Sequence, residues 1–224
     1  MTARRRFGTD TRPDADADGP ELTVPVVTVL PDRPPAGTPP VEFPRFAVAA
    51  PPASLVVPLL AGAAVAVAMG VYGRLHTPTG IAVNLAGFSG PLAVKAWLGS
   101  GAAVLATVQL LSALAMWGRL GGFSPSWAGT VHRWSGRVAF LLTVPVAVHC
   151  LYALGFADHD PRTLAHSLLG CLFFGAFTTK MLALPRPGLA GWVLPVVGGL
   201  VFTTLTGIWL TSSLWYFTTF GVGT

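Results

Sequence analysis

Five histidines are the side chains best equipped for chemistry in this sequence: His76, His132, His149, His159 and His166. Imidazole changes charge near neutral pH and is a common metal ligand. His149 lies five residues before Leu154, where a long apolar run stops at Gly155. His166 lies five residues after Pro161, where the next run opens. At 1.5 Å per residue each is about 7–8 Å inside its helix end, and both ends face the same side. Two imidazoles at one depth on separate helices are what a b-type haem takes as axial ligands, with the porphyrin between the helices. His149 and His166 are therefore the expected iron ligands. His76, at the end of the first apolar run on that side, is placed to replace either one or to bond a propionate. His132 precedes His149 by seventeen residues, about 25 Å along a helix. It is a cofactor-binding candidate on the opposite side, with no histidine partner there. His159, between Asp158 and Asp160, reads as a solvated loop residue.

The elements that must position these rings follow from runs long enough to cross a hydrocarbon core, which takes roughly 20 residues. Five are expected: about Ser54 to Leu75, Pro91 to Gly118, Thr130 to Leu154, Pro161 to Leu184, and Gly191 to Phe217. Thr130 is the expected N-cap of the third. Asp160 followed by Pro161 is a capping residue with proline at the first helical position. Pro145 is expected to kink the third helix by removing a backbone bond. The short link after Leu154 puts helices three and four side by side, at the 8–10 Å of packed neighbours. The fold class is thus all-α, a polytopic transmembrane bundle of about five spans over 54–224. A proline-rich tail over 1–53 holds eleven of the twenty prolines and is expected to be disordered. Within it only the Leu22–Leu30 patch has the composition to add as a strand to a partner's sheet edge.

Composition gives the same class. The 224 residues are 52% hydrophobic and 10% charged, against about 25% charged in soluble domains. Only Asp158 and Asp160 are acidic after residue 50, against eight Lys or Arg. The high isoelectric point reflects this shortage of acids, with no basic face to track phosphates, so a nucleic-acid partner is excluded. The lipid bilayer is the expected partner. Arg4-Arg5-Arg6 is followed by acids rather than an apolar segment, so no cleavable export signal is expected. Arg119, Arg133, Arg137, Lys180 and Arg186 flank one membrane face. Arg74, Lys95 and Arg162, offset by Asp158 and Asp160, flank the other. This asymmetry puts the N-terminus on the inner, cytoplasmic side of the membrane and the C-terminus outside. Cys150 and Cys171 fall in apolar runs, where a thiol behaves as a small hydrophobe.

Glycine follows histidine by four residues twice, as Gly136 after His132 and Gly170 after His166. Residues four apart share a helix face, so the missing side chain leaves room beside each imidazole for a flat ring. The segment His132-Arg133-Trp134-Ser135-Gly136-Arg137 leading to His149, then His166-Ser167-Leu168-Leu169-Gly170, resembles multi-pass b-type cytochromes. The similarity is to their ascorbate-linked and ferric-reductase-like kinds and covers about helices three and four. The resemblance implies haem b, electron transfer, and a redox partner protein or quinone. The four paired histidines of a two-haem set are incomplete, so one haem near the outer face is expected. The span 54–224 also resembles an uncharacterised group of actinobacterial five-helix membrane proteins. The alternative is a non-catalytic membrane subunit or anchor without cofactor, its histidines bonded to backbone carbonyls or neighbouring helices. A transporter would show inverted repeats, which five unequal helices do not offer. No Ser-His-Asp set, P-loop or Gly-rich dinucleotide turn is present, so any catalysis would be redox.

Overall fold

The computed structural model describes residues 53–222, and within that range every regular element is helical. The expectation of a disordered tail over 1–53 falls outside it, apart from Ala53, which opens the first helix. Helix α1 spans Ala53–Leu75, α2 Pro91–Met116, α3 Ala128–Val148 and α4 Pro161–Ala183. The last stretch is α5, Val193–Trp209, continued through a π-helical turn at Leu210–Leu214 into α6, Trp215–Phe220. A second π-helical segment, His149–Leu154, extends α3.

The caps follow from the residues at the breaks. Pro91 sits at the start of α2, where its missing N–H costs no helix bond. Asp160 caps α4 by accepting from the Thr163 amide at 2.9 Å, while the Thr163 hydroxyl accepts from the Asp160 amide at 3.3 Å. The Thr163 amide holds the Asp160 carboxyl below the ordinary aspartate range. Gly155 ends the π segment with φ 71°, a left-handed conformation suited to glycine. Thr130 is not the cap of α3. That helix begins two residues earlier, after Trp127, and Thr130 accepts a hydrogen bond from Arg133 instead. Pro145 lies inside α3, and the π-helical segment begins four residues after it.

Among the described residues four helical stretches are long and apolar enough to cross a membrane: Ser54–Leu75, Pro91–Met116, Ala128–Leu154 and Val193–Phe220. Five were expected. The fourth run does form a helix of 23 residues, but Arg162, His166 and Lys180 interrupt its apolar character. The exposed faces carry large apolar side chains such as Val56, Leu60, Val67 and Val104. A helix apolar on its outward face belongs in lipid.

Helix α1 packs on α4, α2 on α3, and α4 on α5. The first contact is made by small residues. A Cβ placed on Gly175 would lie 2.6 Å from the Gly62 carbonyl oxygen and 2.9 Å from Ala66 Cβ. Thr179, buried beside them, donates its hydroxyl to the Pro58 and Gly175 carbonyls at 3.2 and 3.1 Å. Close backbone approach through small residues is the usual basis of helix association in lipid. Helices α3 and α4 are consecutive in the chain, yet they are not a closely packed pair, contrary to the sequence expectation. Aromatic rings hold them apart: Phe140 stacks on Phe177 at 4.1 Å and meets Phe174 edge-on at 6.0 Å. Ala102, Ala106, Phe173 and Leu205 form the buried core beside these rings.

Candidate functional site

Beyond the aromatic wedge, toward the α3 end and the α4 start, the bundle opens into a cavity of about 560 Å³. That lies within the 300–1,000 Å³ of small-molecule sites. Its wall is mostly apolar and draws on every long helix, from Met69 of α1 to Trp209 of α5. Both π-helical segments border it. Cys150, Leu151 and Leu154 come from one, Thr211 and Ser212 from the other. A π turn inserts one residue into the helical register and re-aims the side chains that follow, and such turns are frequent at functional sites.

His166 lines this cavity from the second turn of α4. Its Nδ1 lies 3.2 Å from the Thr211 hydroxyl oxygen, and Thr211 in turn donates to the Gly207 carbonyl at 2.8 Å. With its one proton used on that carbonyl, the Thr211 oxygen can only accept. That arrangement suits a proton on Nδ1, and Nε2 has no hydrogen-bond partner among the described residues. A hydrogen-bond acceptor on one ring nitrogen is the usual way a protein orients a ligating imidazole. Four residues on, a Cβ at Gly170 would meet nothing within 4 Å, and Gly170 also lines the cavity. The room expected beside His166 is present.

The cavity carries two cations. Arg162 donates from Nη1 to the Thr211 carbonyl at 2.7 Å and lies 4.0 Å over the Trp215 ring. Lys95, half-buried on the second turn of α2, also lines the wall. The one acid there, Asp158, is bound to Arg74 at 2.8 Å. No group of three or more His, Cys, Asp or Glu able to hold a metal ion occurs among the described residues. A haem iron makes no such demand, because the porphyrin supplies four nitrogens and the protein only axial ligands.

The profile of DUF6529, a family of unknown function, matches residues 55–224. The chain belongs to DUF6529. The match takes in all the long helices and the whole cavity wall. No curated protein and no solved structure gives a match.

The other histidines of this DUF6529 chain lie apart from the cavity or at its rim. His149 opens the π segment but is not among the wall residues, although the adjacent Cys150 is. His76 is held between two tyrosines, with ring centroids 5.0 Å from Tyr72 and 5.2 Å from Tyr152. Its Nε2 lies 3.2 Å from the Tyr152 carbonyl. His132 ties α3 to α2: its Nδ1 donates to the Gln109 carbonyl at 3.0 Å, and Gln109 Nε2 donates to the His132 carbonyl. Gly136 makes room for the Gln109 side chain, not for a ring beside His132. His159 is at the exposed rim, 3.2 Å from Asp160. The structure thus brings His166 to a cavity and leaves His149, His76 and His132 outside its wall.

Sequence reasoning missed Thr211, Lys95 and Arg162 as site residues. Thr211 meets His166 across 45 residues of chain, and no local pattern marks that pairing. Lys95 and Arg162 did carry a signal. They are charges within a turn or two of a helix start in an apolar chain, where an ionisable residue is a functional candidate by default.

Proposed function

We propose that this DUF6529 protein is a multi-pass protein of a bacterial plasma membrane that binds one b-type haem in the cavity, where His166 would hold the iron. The observation that carries the reading is that His166 lines a largely apolar cavity, with its Nδ1 beside the Thr211 hydroxyl and its Nε2 without a hydrogen-bond partner among the described residues. The residues present suit the group. Gly170 leaves space beside the ring, the walls are apolar, and Lys95 and Arg162 can face propionates. When bound, such a haem supplies one-electron chemistry, exchanged with a redox partner protein or a quinone. His166 would then hold the group, Thr211 would orient the ring, and the apolar wall would exclude water. The pair with His149 is the two-ligand form of this reading. A low-spin six-coordinate spectrum abolished in both His149→Ala and His166→Ala supports the pair, and a five-coordinate spectrum supports His166 alone.

The test is a reduced-minus-oxidised spectrum of the full chain, purified in detergent after expression with ample haem. A Soret shift and a sharp α band are expected. Protein purified without haem under those conditions overturns the reading. It would favour the second one, a non-catalytic membrane subunit, which draws support from His76 and His132 bonding to backbone carbonyls.

Helix α4 is assigned as the fifth span. Its 23 residues extend about 34 Å, enough for a hydrocarbon core of about 30 Å. Its Arg162 and His166 face the cavity instead of lipid. The basic asymmetry then puts the N-terminus in the cytoplasm and the cavity near the outer face. The Arg74–Asp158 pair further neutralises that outer end. A reporter active only in the cytoplasm is expected to stay silent when fused after Thr224, and strong signal there reverses the orientation.

A further inference from the structure

The cavity holds a charge that its own walls do not balance. Lys95 makes no ion pair among the described residues. Asp158, the one acid lining the cavity, is committed to Arg74 at 2.8 Å, and Asp160 accepts from the Thr163 amide and lies 3.2 Å from His159. Arg162 uses one N–H on the Thr211 carbonyl and its face on Trp215, which leaves other N–H groups of its fork. Two positive groups therefore border a mostly apolar space within a helical bundle read as membrane-embedded. Burying charge in such surroundings is costly unless it meets an opposite charge.

We propose that the cavity takes an apolar molecule ending in a carboxylate, with Lys95 as the residue that pairs with the acid group and Arg162 as a second donor. The apolar part lies against the walls contributed by α1, α3 and α5, and the carboxylate lies toward Lys95 and Arg162. Haem, with its propionates, is one member of this class and a long-chain fatty acid is another. The inference goes beyond the haem reading, since it requires the acid group and not the iron.

Two probes separate the sources and the two readings. Full-chain protein in a non-ionic detergent is titrated with haemin, followed by absorbance. It is titrated separately with cis-parinaric acid, followed by fluorescence, and with the methyl ester of that acid as the uncharged control. The wild type is expected to bind the acid more tightly than the ester. Lys95→Gln should weaken the acid, or haemin, on the order of tenfold or more, since it removes a charged partner of the acid group. Lys95→Gln should leave the ester unchanged. Lys95→Arg, which keeps the charge, should retain the preference, and Lys180→Gln, outside the cavity, should bind as the wild type does. Acid binding that depends on Lys95 without any haemin binding supports the inference and removes the haem reading. Haemin binding that Lys95→Gln leaves unchanged, with acid and ester bound alike, overturns the inference and leaves the haem reading standing.

Discussion

Replacing His166 by Ala is expected to remove the haem absorbance of the purified protein altogether. His166 is the one histidine that lines the cavity from within a helix, while His159 borders the exposed rim beside Asp160. His76 is clamped between Tyr72 and Tyr152, and His132 is bonded into the α2–α3 contact. Their Ala variants should keep the spectrum. Thr211→Val is the sharper companion, because it conserves shape while removing the oxygen that accepts from Nδ1. Loss of the hydrogen-bond partner that orients a ligating imidazole typically lowers metal affinity about 10–100-fold, so this variant should bind haem weakly while staying folded. Full retention in Thr211→Val would show that the hydroxyl does not orient the ring. Full retention in His166→Ala would place the iron elsewhere.

Gly62→Ala is expected to destabilise the helical bundle by about 1–3 kcal/mol, the usual cost of overpacking, and Gly62→Leu to prevent recovery of folded protein. A Cβ on Gly62 would overlap the Thr179 hydroxyl and lie 2.5 Å from the Gly175 carbonyl oxygen. The hydroxyl could rotate away, but the carbonyl belongs to the α4 backbone, so relief requires separating the helices. Thr179→Ala should therefore not rescue Gly62→Ala. Gly198→Ala is the control. Nothing lies within 4 Å of a Cβ there, and alanine is a better helix former by about 1 kcal/mol. Thermal unfolding in detergent, followed by circular dichroism, separates the two. An unchanged midpoint in Gly62→Ala would mean that α1 and α4 approach less closely than the backbone distances require.

The helices were legible because their causes are local. A run of about 20 apolar residues must satisfy its own backbone hydrogen bonds in lipid, and only a helix does so within one segment. Asp160-Pro161, Gly90-Pro91 and Gly155 mark boundaries through capping oxygens, a missing N–H and a left-handed φ, all properties of the residues themselves. The misread start of α3 at Thr130 shows the limit of that logic, since a hydroxyl near a helix start can bond Arg133 as readily as a free amide.

Depth along a helix was also readable from sequence, and it put His149 and His166 near the same end of the bundle. Which way each ring points was not. The wall residues Thr143, Val146, Ala147, Cys150, Leu151 and Leu154 share one helix face, so Cys150 and not His149 lines the wall, and only the packing of α3 tells which face meets the cavity. Gly136 and Gly170 stand in the same local pattern, yet one is filled by Gln109 of another helix and the other borders open space. By itself the sequence determined an all-helical, lipid-facing chain, its breaks, and the charge asymmetry of its ends. The tertiary structure alone decided that three phenylalanines hold α3 from α4, that a cavity opens beyond them, and that Thr211 meets the His166 ring at its wall. Those outcomes depend on contacts between residues tens of positions apart, and such contacts leave no periodic trace in the chain.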